Sequence, residues 1–215
     1  MAEPYLPHIT RIETIPEETL LARFRQTRLR GFGRPLVYER ARLELVRHVD
    51  PATLYPAQNY VLQADHHRLR DFHALFLEKG HNIFALEGGL LFWIRDDRTG
   101  EEEGPIPLTP PVVEISLEPD GRTLPLINDG MHRVYTAMRL HQPIHIIQVQ
   151  NVPTQWPYYA YPLANGWQDV EELVELPENY IKKAYRDPDH YKDLFRDFNE
   201  LFPGIQKQRT RGGAP

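Results

Sequence analysis

The chain contains no cysteine, which excludes disulfides, thiolate nucleophiles and cysteine-ligated metals. It has no apolar run long enough to cross a bilayer, since a spanning helix needs about 20 predominantly apolar residues. Positive charge is not in excess: 25 Lys and Arg against 30 Asp and Glu leave a net charge of −5. That balance argues against a general nucleic-acid binder, whose phosphate contacts need a basic surface, while leaving room for a local basic site. No internal repeat is visible, and the opening MAEPYLPHIT lacks the charged and apolar regions of a signal peptide. The expectation is a cytoplasmic location without a membrane partner. What is present suffices for one domain with an extension, because 215 residues at 41% hydrophobic content can bury a core.

The most informative stretch is TLPLINDGMHRVYTAMRLHQPIHIIQV, over residues 123–149. Leu124, Leu126 and Ile127 form a short apolar run, Asn128-Asp129-Gly130 carries turn chemistry, and Val134, Ala137 and Met138 fall at i, i+3 and i+4. The pattern predicts strand, tight turn, helix and strand, with the helix starting near Gly130. Free N–H groups at such a start, beside a glycine and with His132 and Arg133 in the same turn, form an arrangement that binds phosphate. The same turn also serves plain structure, with His132 and Arg133 solvated or capping. Spacing alone leaves both readings open.

The pentapeptide Asp129-Gly130-Met131-His132-Arg133, followed by a helix carrying Ala137 and a strand over 144–149, resembles the DGxHR signature of the ParB/sulfiredoxin-like superfamily. That superfamily includes partition-protein nucleotide-binding domains, sulfiredoxins and free-serine kinases, in which the matching turn and helix start hold nucleotide phosphates. The resemblance covers roughly residues 43–152 and takes in Asp50-Pro51-Ala52-Thr53-Leu54-Tyr55-Pro56, similar to the family's D-P-x-x-L-x-P segment. It is nearer to the ParB-like and free-serine-kinase branch than to sulfiredoxin, whose motif has a cysteine where this chain has Met131. In the serine-kinase branch a glutamate shortly after the second proline is the catalytic base. The nearest position here is Gln58, which cannot take a proton.

The flanks read more simply. A Pro-rich arm precedes a helix over 16–30, where Pro16 suits a first position, Glu17 and Glu18 complement the dipole, and Leu20, Leu21 and Phe24 form a stripe. Residues 41–49 alternate as a strand, and 65–79 form a helix with Asp65 as cap and Gly80 as stop. His66 and His73 share a face of that helix at i, i+7, whereas helical zinc sites use i, i+4 pairs. Residues 83–94 read as a strand or hairpin turning at Glu87-Gly88-Gly89, 96–104 as a polar loop, and 111–116 as a strand. The aromatics Trp156, Tyr158, Tyr159, Tyr161 and Trp167 either stack on a planar ligand or tie an extension to the domain. Residues 189–202 have helical apolar spacing, and the tail over 206–215 has a disordered composition.

The expected architecture is α+β: an N-terminal arm and helix over 1–40, a ParB/sulfiredoxin-like core of a small mixed sheet with helices over 41–152, an aromatic and helical extension over 153–205, and the tail. The expected function is phosphotransfer from a nucleotide (ATP, ADP or CTP) with Mg²⁺ to a small hydroxyl-bearing molecule. Asn128, Gly130, Met131, His132 and Arg133 would hold the phosphates, with His66, His67 and Arg68 as a second contact. Asp129 would orient the acceptor or the metal. Asp129, Asp65 and His132 are the catalytic candidates, and Trp156, Tyr158 and Trp167 the substrate-binding ones. The alternative is a non-enzymatic nucleotide-binding or switch module, with a protein partner or a homodimer contact on the extension. A scaffold that has lost its nucleotide is a third reading.

Overall fold

Residues 8–205 are described in this computed structural model; the tail predicted over 206–215 lies outside them. In chain order the elements are β1 (His8–Pro16), α1 (Glu17–Phe24), β2 (Arg28–Leu29), β3 (Arg42–Val49), β4 (Tyr60–Leu62), α2 (Gln63–Glu78), β5 (Gly88–Arg95), β6 (Glu102–Leu108), β7 (Val112–Leu117), β8 (Thr123–Asp129), α3 (Met131–Arg139), β9 (Ile144–Gln150), β10 (Glu171–Leu173) and β11 (Arg196–Asp197). The fold is α+β. A four-stranded mixed sheet runs β3-β9-β7-β8, with β7 parallel to β9 and the other neighbours antiparallel. A second sheet, β1-β5-β6, is antiparallel throughout.

Period-two alternation gives the mixed sheet two apolar faces. On β9, Ile144 and Ile146 join Phe76 of α2, Val134 and Ala137 of α3, and Phe92 of β5 in one core, while Ile147 and Val149 join Leu20 and Phe24 of α1, Leu43 and Leu45 of β3, and Phe202 in another. Each of these Val, Leu, Ile and Phe side chains stabilises the fold by about 1.5–3 kcal/mol on full burial. The β8 to α3 junction is therefore clamped from both sides, which fixes the turn between them.

Several sequence-based expectations are corrected. The helix predicted over 16–30 ends at Phe24, with Pro16 at its cap position, because Arg28–Leu29 pairs with Arg196–Asp197 and buries Leu29. Ahead of it lies a strand rather than an arm: β1 pairs along β5 and buries Ile9 and Ile15. Glu87-Gly88-Gly89 makes no hairpin turn, since β5 begins at Gly88. The predicted polar loop closes early, with Glu102 and Glu103 already in β6, where Pro105 and Pro107 are tolerated because β6 is an edge strand. Asp65 sits inside the first turn of α2 and Leu62 occupies its cap position. The helix predicted over 189–202 is replaced by 3₁₀ turns at Tyr191–Leu194 and Phe198–Leu201 on either side of β11.

Candidate functional site

A cleft of about 220 Å³ opens where β8 passes into α3. One wall is the turn itself, Asn128 to His132; Ala57 and Gln58 form a second side, and Tyr159 and Lys183 a third. Gly130 has φ +85°, and a Cβ there would stand 2.8 Å from Cβ of Pro111 and 3.0 Å from its Cα. Glycine is thus demanded by backbone and neighbour together. The Arg133 and Val134 amides both donate to the Gly130 carbonyl, at 2.9 and 3.0 Å. Those of Met131 and His132 precede the first internal bond of α3, and both residues line the cleft.

The Asn128 side chain of the turn is held from behind. Asn128 Nδ2 donates to Tyr38 Oη at 2.8 Å and to Glu114, which also accepts from Tyr38. Burial, reinforced by the Glu114 charge, pushes the Tyr38 phenol well up, so it stays a neutral donor. Glu114 in turn receives Arg196, with Nε to Oε1 at 2.7 Å and Nη2 to Oε2 at 2.9 Å. The Arg196 guanidinium also donates to the carbonyls of Trp156, Pro157 and Leu194. One buried ion pair thereby ties the extension to the strand next to the site.

His132 reaches toward α2, where its Nε2 lies 3.6 Å from Asp65 Oδ2, beyond hydrogen-bond length. That nitrogen is buried without a hydrogen-bond partner. Burial lowers the imidazole pKa and the Asp65 charge opposes it, so the neutral ring prevails at pH 7. Asp65 touches the site through His132 alone, while Asp129 lines the cleft directly.

Other predicted site residues are placed elsewhere. Arg133 is buried, donates from Nη1 to the Thr109 carbonyl and does not line the cleft. Burial lowers its pKa and the nearby Asp129 charge counters that. His66 packs inside, with Nδ1 3.1 Å from Thr136 Oγ1; His67 is exposed, and Arg68 faces Asp65 at 3.6 Å. Trp156 packs on Phe32 and Trp167 on Tyr135. Tyr158 is buried, its Oη accepting from Lys183 at 3.1 Å. The aromatics therefore tie down the extension, and the one that lines the cleft is Tyr159. Sequence reasoning missed Lys183, which has no spacing signal, and missed that the adjacent Tyr158 and Tyr159 divide core from cleft.

Among the described residues no group of three or more His, Asp or Glu side chains gathers as a metal site. A divalent cation held mainly by phosphates needs no such cage, because Mg²⁺ commonly takes one or two carboxylates plus phosphate oxygens. Asp129 fits that role as a single carboxylate in the cleft. No helix among the described residues is long and apolar enough to cross a membrane.

No curated protein and no solved structure matches the chain. The model of one family, the ParB CE domain, matches residues 19–171, a span that holds β3 to β9, the β8–α3 turn and every cleft residue but Lys183. By that match the chain belongs to the ParB CE domain family.

Proposed function

We propose that the cleft holds the phosphates of a nucleotide and that the protein transfers a phosphoryl group to a small hydroxyl-bearing molecule, as in the kinase branch of the ParB/sulfiredoxin-like superfamily. The observation that carries this reading is the meeting, in one cleft, of the amides at the start of α3, the Asp129 carboxylate and the Lys183 ammonium. Amides and a cation bind phosphate oxygens, and a carboxylate accepts the proton of an attacking hydroxyl. In the transfer, the acceptor oxygen bonds to the terminal phosphorus, the bond from that phosphorus to the bridging oxygen of the nucleotide breaks, the shortened nucleotide leaves with that oxygen, and the hydroxyl proton passes to Asp129. A bound Mg²⁺ would neutralise phosphate charge, held chiefly by phosphate oxygens and water while Asp129 takes the proton. At about 220 Å³ the cleft lies below the roughly 300–1,000 Å³ of sites that enclose a whole organic ligand, so it suits a phosphate tail with the nucleoside outside.

Gln58 favours a second reading. It stands in the cleft wall with Nε2 donating to the Tyr60 carbonyl at 2.8 Å, an amide where a kinase of this type would carry a basic carboxylate. A nucleotide-binding module without chemistry, paired with a protein partner or a second copy through the extension, has no need of a base there. The two readings separate on Asp129→Asn. A phosphotransferase keeps most nucleotide affinity and loses about 10²- to 10⁴-fold in single-turnover transfer to serine, other amino acids or nucleosides. Equal rates in the variant would remove Asp129 as base, and no transfer by wild type across the acceptors would leave the binding module.

A further inference from the structure

Lys183 lies beyond the residues matched by the family model, yet the chain fixes it at the cleft from both sides. The Asn59 amide and side chain donate to the carbonyls of Lys182 and Ile181 at 3.3 and 2.9 Å, and the Tyr161 amide donates to that of Ala184 at 2.8 Å. The ammonium donates to Tyr158 Oη and Tyr159 Oη and stands 4.6 Å from the Tyr159 ring centroid. Tyr158 is a neutral partner: burial, then the neighbouring Tyr159, pushes its phenol well above the ordinary pKa. Two of the three ammonium protons are thus occupied, one is left over, and the residue lines the cleft.

The charge itself is unanswered. Arg186 and Arg196 of the same segment each pair with a buried carboxylate, Glu118 and Glu114, whereas Lys183 has no ion-pair partner among the described residues. The remaining carboxylate of the cleft, Asp129, has the buried Arg133 charge behind it. A cation at the cleft that is not committed to a carboxylate can pair with a phosphate oxygen of a ligand. We infer that Lys183, steadied by Tyr158 and Tyr159, binds the anionic end of a polyphosphate in this cleft, so that a residue outside the family match completes the site. The inference rests on the phosphate reading of the cleft given above.

The test uses the full chain with pyrophosphate and ATP as probes, titrated calorimetrically. Lys183→Met removes one charge-assisted contact and should weaken both probes about ten- to a hundredfold, while Lys183→Arg keeps the charge and should weaken them less. A second measurement needs no variant: pyrophosphate should protect Lys183 of the wild-type chain from acylation by acetic anhydride, with the exposed Lys182 as unprotected control. Wild-type affinity in Lys183→Met, or no protection of Lys183 while pyrophosphate binds, would overturn the assignment and leave the phosphate cleft standing. Failure of both probes to bind the wild-type chain would overturn the assignment together with the phosphate reading.

Discussion

A guanidinium buried to 8% exposure needs acceptors inside the protein, because moving it from water without them costs several kcal/mol. Arg133 finds one in the Thr109 carbonyl and a favourable charge in Asp129. The side chain that sequence spacing offers to a ligand is thereby taken up in fastening the β8–α3 turn to the segment ahead of β7. Arg133→Ala would leave a cavity and an unsatisfied carbonyl together. The expected loss is about 2–4 kcal/mol of folding stability, read as a lower urea midpoint with the slope unchanged. A variant as stable as wild type that binds phosphate compounds poorly would restore Arg133 to the binding site. Gly130 at φ +85° against Pro111 belongs to the same fastening. The space beside its Cα is filled by proline.

Elements that carry their own signal were legible, and those made by distant partners were not. Residues 123–150 form β8, α3 and β9 as their apolar spacing predicts, since both faces of the sheet select the same pattern. The cleft turn could be found for the same reason, but Lys183 and Tyr159 arrive from an extension whose path no local pattern announces. Residues 189–202 show the opposite case, helical spacing overridden by tertiary contact. Tyr191 stacks on Tyr185 with centroids 3.8 Å apart, Leu201 and Phe202 enter the α1 core, and Arg196 is drawn extended beside Leu29 to reach Glu114. A helix would satisfy the period and lose all of these. Arg196→Ala would leave Glu114 buried without its cation, a change that costs about 3–5 kcal/mol when a buried pair is broken. Asn128 and Tyr38 would remain as the donors to that carboxylate. Thermal unfolding of the variant should start at a lower temperature, and proteolysis should cut first within 153–205. An undisturbed midpoint would show that the extension does not depend on this pair.

The whole molecule stores its acid sensitivity on the α2 and α3 side of the mixed sheet. Burial lowers the pKa of His66, His73 and His132, so the folded chain holds these rings neutral while the unfolded chain protonates them near about pH 6.5. Below that pH the unfolded state binds more protons, and stability falls as pH drops from about 6.5 through the lower folded values. Carboxylates act in a separate window. Glu87 is held low first by its bond to Arg47, Asp120 by the Arg122 amide and Asp169 by the Asn165 amide, and their contributions are lost only as pH falls below about 4.5. Between about pH 6.5 and 5 the slope therefore belongs to the histidines, and the urea midpoint should drop across that interval and less steeply in His132→Asn. An anion in the cleft reverses the preference of His132, because negative charge beside the ring favours the imidazolium. Pyrophosphate takes up a proton of its own in this range, so its affinity is read against a variant: from about pH 7.5 to 6 the change should favour wild type over His132→Asn. Parallel profiles in the two proteins would place the ligand away from His132 and the start of α3.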